Sequence, residues 1–220
     1  MTFSEWLDFF MPYVPGFLHA AWLVFIITLL VIVVSWICGL LVALGKTSSF
    51  AVIRQAAAFY IWFVRGTPAL IQIFIVYFGL PQLGLGLSPF VAGVLALGVN
   101  GGAYVAEIIR SGLSAIPKGQ VESSLALGMS RHETLRRIVL PQVVRIILPA
   151  ITNEAISTLK NTSLLSSITV VELTLYAQTI IATTFRPFEF YAATAVIYLV
   201  MTTMLSQVAA MLERHNARYV

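Results

Sequence analysis

Charge is what this chain has least of. Lysine, arginine, aspartate and glutamate make up 10% of its 220 residues, against about 25% in an average soluble domain. That shortage excludes an ordinary soluble domain. Cysteine is nearly absent: Cys38 stands alone, so no internal disulfide can form. Inside an apolar run it reads as a small buried hydrophobe and not as a redox centre. His19, His132 and His215 are scattered and match no metal-ligand spacing. The first ten residues hold Glu5 and Asp8 but no Lys or Arg, so a cleaved signal with a basic leading region is not expected. GLLVALGKT (Gly39 to Thr47) looks like a phosphate loop. Five residues, not four, separate Gly39 from Gly45, and the segment closes an apolar run instead of following a strand. Glycines that ease helix packing and a Lys46 that reaches the interface explain it better. Zinc-ligand spacing and a nucleophile elbow are also missing. Catalysis by this chain is therefore not expected.

What is abundant is hydrocarbon, at 59% of residues. A spanning helix needs roughly 20 apolar residues. Five stretches qualify: 17–44, 55–80, 88–109, 141–160 and 190–212. The first has no charge in 28 positions and the last none in 23; the fourth is the least apolar. The runs are continuous and do not alternate, which excludes a closed β-barrel. The reading is an all-α integral membrane protein, one transmembrane domain over residues 1–220. Asn161 to Glu189 is apolar but short-pieced, and reads as short helices or a re-entrant element.

The net charge of +4 has a distribution. Ten of the thirteen basic residues fall after the first apolar run, after the third, or in the tail: Lys46, Arg54, Arg110, Lys118, Arg131, Arg136, Arg137, Arg145, Arg214 and Arg218. The opposite loop LPQLGLGLSP and the N-terminal tail have none. Lys and Arg collect on the cytoplasmic side, so the C-terminus is expected in the cytoplasm and the N-terminus outside. No run alternates basic with aromatic residues, so a nucleic-acid surface is not expected.

The longest polar stretch, about 118–140, lies between the third and fourth runs. Gln120 to Leu127 can form two helical turns, and Gly128 stands where a helix wants a left-handed residue. Ser130-Arg131-His132-Glu133 is a capping box. A second short helix is expected from Arg131 until Pro141. Two readings are open: a rigid elbow for docking, or an amphipathic loop on anionic lipid.

Polar groups inside the runs are costly and usually face the bundle interior. In the fourth run Glu154, Thr158 and Asn161 fall at i, i+4, i+7, and Asn153, Ser157 and Lys160 repeat the spacing one residue earlier. The two rows make a broad polar stripe. Glu154 can accept an ammonium; Lys160, Asn161, Thr162 and Ser163 can serve a carboxylate. Equally, these groups can hold the bundle together. In the third run Asn100, Tyr104, Glu107 and Ser111 share a face; a structural role is favoured for Tyr104 and Glu107, with Arg110 at i+3. Gly98 and Gly102 form a G-x-x-x-G suited to close helix packing. In the second run, interrupted by Arg65, Thr67 is expected as an N-cap and Pro68 as the first helical residue, so the helix breaks there: a ligand-holding interruption, an Arg65 that snorkels to the cytoplasmic side, or, the favoured reading, a gating kink.

Glu122-Ser123-Ser124, three residues, Gly128, nine residues, Ile138-Val139-Leu140-Pro141 resembles the cytoplasmic signature of ABC importer permease subunits, E-A-A, three residues, Gly, nine residues, I-x-L-P. Ser123 and Ser124 replace two alanines. FVRGTPALIQ (Phe63 to Gln72), AYVAEIIRSGLSAIPKGQ (Ala103 to Gln120) and NEAISTLKNTSLLSSI (Asn153 to Ile168) are similar to the polar amino acid (histidine/glutamine-type) permeases. The similarity covers about Phe17 to Arg214. It implies a type I ABC importer permease-like subunit of five spans with a cytoplasmic coupling loop, in the cell inner membrane. Such a subunit pairs with a second permease, the same or a related chain. It docks a separate ATPase that uses ATP and Mg, and receives its amino acid from an extracytoplasmic binding protein. No cofactor is implied for this chain itself. By the resemblance, Glu122, Ser123, Ser124, Gly128, Ser130, Arg131, Glu133 and Arg136 meet the ATPase. The resemblance assigns no substrate residue; the candidates for a path that the residues themselves offer are Thr67, Asn100, Tyr104, Glu154, Ser157, Thr158, Lys160, Asn161, Thr162 and Ser163. Two other classes are weighed beside it. An ion-coupled secondary carrier would use Glu154 and Lys160, but an internal repeat is absent. A non-transporting assembly subunit would join the ATPase and never support uptake.

Overall fold

The structure is a computed structural model that describes residues 9–217, with the side chains of His215 and Ala217 left aside. The N-terminal residues Glu5 and Asp8, and Arg218 of the basic tail, lie outside the described residues. Nine helices follow in chain order among the described residues, with no strand. They are α1 (Val14–Lys46), α2 (Ala51–Gly66), α3 (Ala69–Phe74), α4 (Pro89–Ser114), α5 (Lys118–Ala126), α6 (Arg131–Thr134), α7 (Leu140–Asn161), α8 (Leu173–Thr184) and α9 (Pro187–Ala217). Three apolar stretches are long enough to cross a membrane singly: Met11–Lys46, Pro89–Ser114 and Pro187–Arg214. Two bent pairs raise the number to as many as five. The chain is an all-α integral membrane protein.

α4 is the central helix. Its small residues let neighbours approach: Gly98 abuts Val34 of α1, and a Cβ on Gly102 would come within 2.6 Å of the Cys38 Cβ. Only hydrogen fits there, so the two backbones pack closely, as the G-x-x-x-G spacing leads one to expect. Cys38 is half-buried at this contact. Ser35 of α1 spends its hydroxyl on the Gly98 carbonyl at 3.1 Å. α8 and α9 close the other side of α1, around the fully buried Phe190. The outward face of α1 keeps Leu18, Trp22, Val33 and Ile37 exposed, as a lipid-facing surface does.

The second apolar stretch is not one straight helix. α2 and the segment Ala69–Leu83 meet at 111°. Proline forces the preceding residue out of the helical region, and Thr67 is extended at φ −120°, ψ 146°. The expected cap is displaced by one position. Pro68 is itself extended and occupies the N-cap, so Ala69 is the first helical residue. The Thr67 hydroxyl turns back to the Phe63 carbonyl at 2.9 Å.

Pro141 does not end a helix. The chain runs from α6 through a wide π turn, Leu135–Val139, directly into α7. Pro141 has no N–H, and its ring crowds the carbonyl four residues back. The π turn absorbs both, with the Leu140 amide reaching five residues back to Leu135. The expected second short helix is thus the first turn of a long helix that continues into the fourth apolar stretch. After α7 come a 3-10 segment, Thr162–Ile168, and α8, bent by 47° from the helix before it. Asn161 to Glu189 is therefore short-pieced, as its composition leads one to expect.

Candidate functional site

A cleft of about 330 Å³ opens between the end of α2, the last turns of α4 and the first half of α7. Arg65, Tyr104, Glu107, Arg110 and Glu154 supply its polar wall; Ile146 and Ile147 supply apolar surface. Glu107 is a hub. Arg110, one turn on along α4, grips both its oxygens through Nε and Nη2 at 3.0–3.1 Å. Lys46 at the end of α1 and Arg65 at the end of α2 each stand 3.7 Å away. One carboxylate therefore gathers cations from three helices. Arg65 also lies over the Tyr104 ring, 5.6 Å from its centroid. Burying a carboxylate without such company is costly, and the Arg110 pairing expected at i+3 is present.

Above this hub the break at Thr67 is held by one side chain. Gln72 of α3 is buried, and its amide nitrogen lies 2.8 Å from the Val64 carbonyl and 2.8 Å from the Thr67 hydroxyl. Its carbonyl accepts from Asn100 of α4 at 3.1 Å. Thr67 and Asn100, named from sequence as path residues, are thus brought together through Gln72.

The polar stripe of α7 divides. Successive residues turn by 100°, and the two rows separate. Thr158 is buried and Glu154 half-buried against α1 and α4, beside Ser35. Asn153 and Lys160 are exposed, and Ser157 and Asn161 half-buried. Thr162 and Ser163 spend their hydroxyls on the Leu159 and Lys160 carbonyls, both at 2.8 Å. Of the stripe, Glu154 alone lines the cleft with Tyr104. Lys160, Asn161, Thr162 and Ser163 are not brought to it. Glu154 makes no hydrogen bond or ion pair among the described residues. Among those residues no group of three or more His, Cys, Asp or Glu is placed to hold a metal ion.

The polar stretch forms an elbow. α5 closes on Gly128 at φ +85°. The Gly128 amide bonds to Leu125 and that of Met129 to Ser124, at 3.0 and 3.1 Å, the paired bonds of a Schellman stop. Two residues on, the Glu133 amide donates to the Ser130 hydroxyl oxygen at 3.3 Å and the Ser130 amide to Glu133 Oε2 at 3.0 Å. Both halves of the capping box are present. The Ser130 amide, then its hydroxyl, hold the Glu133 carboxyl below its ordinary value. Ser124 is buried, donating to the Val121 carbonyl at 2.8 Å and lying 3.0 Å from the Thr134 hydroxyl, so it clamps α5 to α6. Glu122, Ser123, Gly128, Arg131 and Arg136 face outward, and Leu127 at the tip is 84% exposed.

The chain can now be set beside known proteins. Residues 33–218 match the family model described as binding-protein-dependent transport system inner membrane component. The chain belongs to this family. This permease is 39% identical over 205 residues to the glutamine transport system permease protein GlnP of Escherichia coli (strain K12), covering 92% of this chain and 94% of that one. It is 38% identical over 195 residues to the L-cystine transport system permease protein TcyB of Bacillus subtilis (strain 168), covering 88% and 83%. It superimposes on a chain of the crystal structure of an amino acid ABC transporter with histidines, with a TM-score of 0.86, 38% identity and coverage of 98% and 99%. The MetNI methionine ABC transporter matches with a TM-score of 0.76 at 16% identity, covering 94% and 98%, a likeness of fold alone.

One important polar residue of the permease escapes sequence reasoning. Glu172 is fully buried. It caps α8, accepting from the Thr174 and Leu175 amides at 2.8 and 3.0 Å, and accepts the Tyr198 hydroxyl of α9 at 2.8 Å. Tyr198 in turn lies 3.5 Å from the Thr162 hydroxyl. Glu172 stands immediately before Leu173, at the N-cap, where Ser, Thr, Asp or Asn is the usual residue; its partner Tyr198, 26 residues on, has no local signature.

Proposed function

We propose that this permease is the membrane subunit of an ATP-driven importer for polar amino acids. A separate ATPase docks on the elbow formed by α5 and the start of α6. A second permease, the same or a related chain, completes the path, and an extracytoplasmic binding protein delivers the amino acid. ATP and Mg belong to the ATPase. The amino acid passes the cleft beside Glu154. Mechanically, ATP-driven closure of two ATPases moves the elbows, and each elbow moves α7, with which its second arm is continuous.

The observation that carries this reading is the elbow itself. It is outward-facing, stopped on one arm by a left-handed glycine and started on the other by a full capping box, with an exposed leucine at the tip. The similarity to glutamine and cystine permeases supports the substrate class. The secondary-carrier reading has less support, because Lys160 is exposed and outside the cleft that Glu154 lines. Gly128→Asp combined with Glu122→Lys, expressed with the ATPase, is expected to abolish its co-purification and ATP-dependent uptake. Retention of both would remove the docking role. Uptake that follows a proton gradient and survives ATP depletion would favour the carrier.

A further inference from the structure

We infer that Arg65 is a carboxylate-binding residue of the cleft, the counterpart of Glu154, and that together they recognise the zwitterionic end of an α-amino acid. The inference rests on the cleft being the substrate path.

Three cations surround Glu107, but they are not held alike. Arg110 takes both carboxylate oxygens in short, paired hydrogen bonds. Such bidentate geometry satisfies the carboxylate. Arg65 is left with a loose contact at 3.7 Å, longer than a hydrogen bond. A guanidinium has five N–H donors, and none of those of Arg65 is engaged in a hydrogen bond among the described residues. It is nonetheless oriented: the Tyr104 ring lies beneath it, and it closes α2 immediately before the break at Gly66–Thr67. The Gln72–Asn100 contact fixes that break against α4. Arg65 is thus an aimed donor held by one loose ionic contact, to a carboxylate that Arg110 already grips.

The opposite charge lines the same cleft. Glu154 lacks a partner, and a Cβ on Gly101 would lie 3.7 Å from its Oε1. Gly101 is three residues, about one helical turn or ~4.5 Å of rise, from Tyr104. One unpaired anion and one loosely held cation therefore line a single cavity about a turn apart along α4. A molecule that carries an ammonium and a carboxylate on one carbon satisfies both; a simple anion or cation satisfies one and leaves the other bare. Binding the carboxylate costs Arg65 only its weak contact with Glu107, which keeps Arg110 and Lys46.

The test uses the assembled transporter, permease with its ATPase, in lipid nanodiscs without the binding protein. The probes are L-glutamine, L-histidine, L-arginine and L-cystine, each beside its carboxamide, and the readout is thermal stabilisation against probe concentration. At least one free amino acid is expected to stabilise the wild type while its carboxamide does not. Arg65→Gln is expected to need at least tenfold more of that amino acid, and Arg65→Lys to recover most of the loss. Equal stabilisation by an amino acid and its carboxamide, or wild-type behaviour of Arg65→Gln, overturns the assignment. If Arg65→Gln does not assemble, the carboxamide comparison on the wild type still decides. Loss of binding in Glu154→Gln with normal binding in Arg65→Gln keeps the path and removes Arg65 from it. Normal binding in both variants, or no response of the wild type to any probe, refutes path and assignment together.

Discussion

Gln72 shows how one side chain decides a backbone. Pro68 breaks the second apolar stretch and strips it of an amide donor, so carbonyls near the break need partners in a medium without water. The Gln72 amide meets those of Val64 and Thr67 and adds the Thr67 hydroxyl. Its oxygen carries the link to Asn100. Replacing it with leucine keeps the volume and leaves these groups bare, at about 1–3 kcal/mol for an unsatisfied buried partner. Gln72→Leu is expected to lower the thermal unfolding midpoint of the detergent-solubilised permease, and Asn100→Ala added to it to cost less than on its own. Additive losses would show that the two residues do not act as a pair.

Elements are decided by their ends. α5 stops because Gly128 takes a left-handed conformation at φ +85°, which costs any residue with a Cβ about 1–2 kcal/mol. No atom stands within 4 Å of a Cβ built there, so Gly128→Ala tests strain alone. It is expected to weaken ATPase association several-fold in pull-down titrations without unfolding the apolar bundle, and Gly128→Asn to weaken it less. The start of α6 gives a pH prediction. The Glu133 carboxyl is depressed, chiefly by the Ser130 amide. A depressed acid contributes stability that is present above its unfolded value, ordinarily 4.5, and is lost as pH falls through the folded one. The Glu133 carboxyl is expected by NMR to titrate below 4.5 in the wild type. In Ser130→Ala it should titrate closer to that value. An unshifted wild-type carboxyl would contradict the capping box.

At the scale of the whole molecule, Lys46, Arg65 and Arg110 converge on Glu107 at one end of three helices, and the elbow follows four residues after α4. Basic residues gather on the cytoplasmic side, so the elbow and the cation hub are expected to share it. In a Cys38→Ala background, Leu127→Cys is expected to react with an impermeant maleimide only after cells are opened. Leu83→Cys, in the opposite loop, is expected to react in intact cells. Labelling in the reverse sense would invert the topology and end the docking proposal.

Periodicity and composition were enough for the class of the chain, the close-packing glycines of α4, the elbow's two ends and the break near Pro68, because each follows from residues within a turn or two of one another; that α1 is the helix against those glycines came only from the packed structure. Spacing could not tell that Pro141 would be absorbed by a π turn, since helix continuation there is a contest between a local clash and the packing of α7. Nor could it divide the polar stripe, because a row of side chains acquires an inside and an outside only when neighbours arrive. Glu154 and Arg65 lie 89 positions apart in the chain, and each alone reads as a costly charge near a membrane. Their sharing of one cleft was decided by the packing of α2 and α7 around α4. Long-range geometry of that kind is a property of the packed bundle and not of any window of sequence.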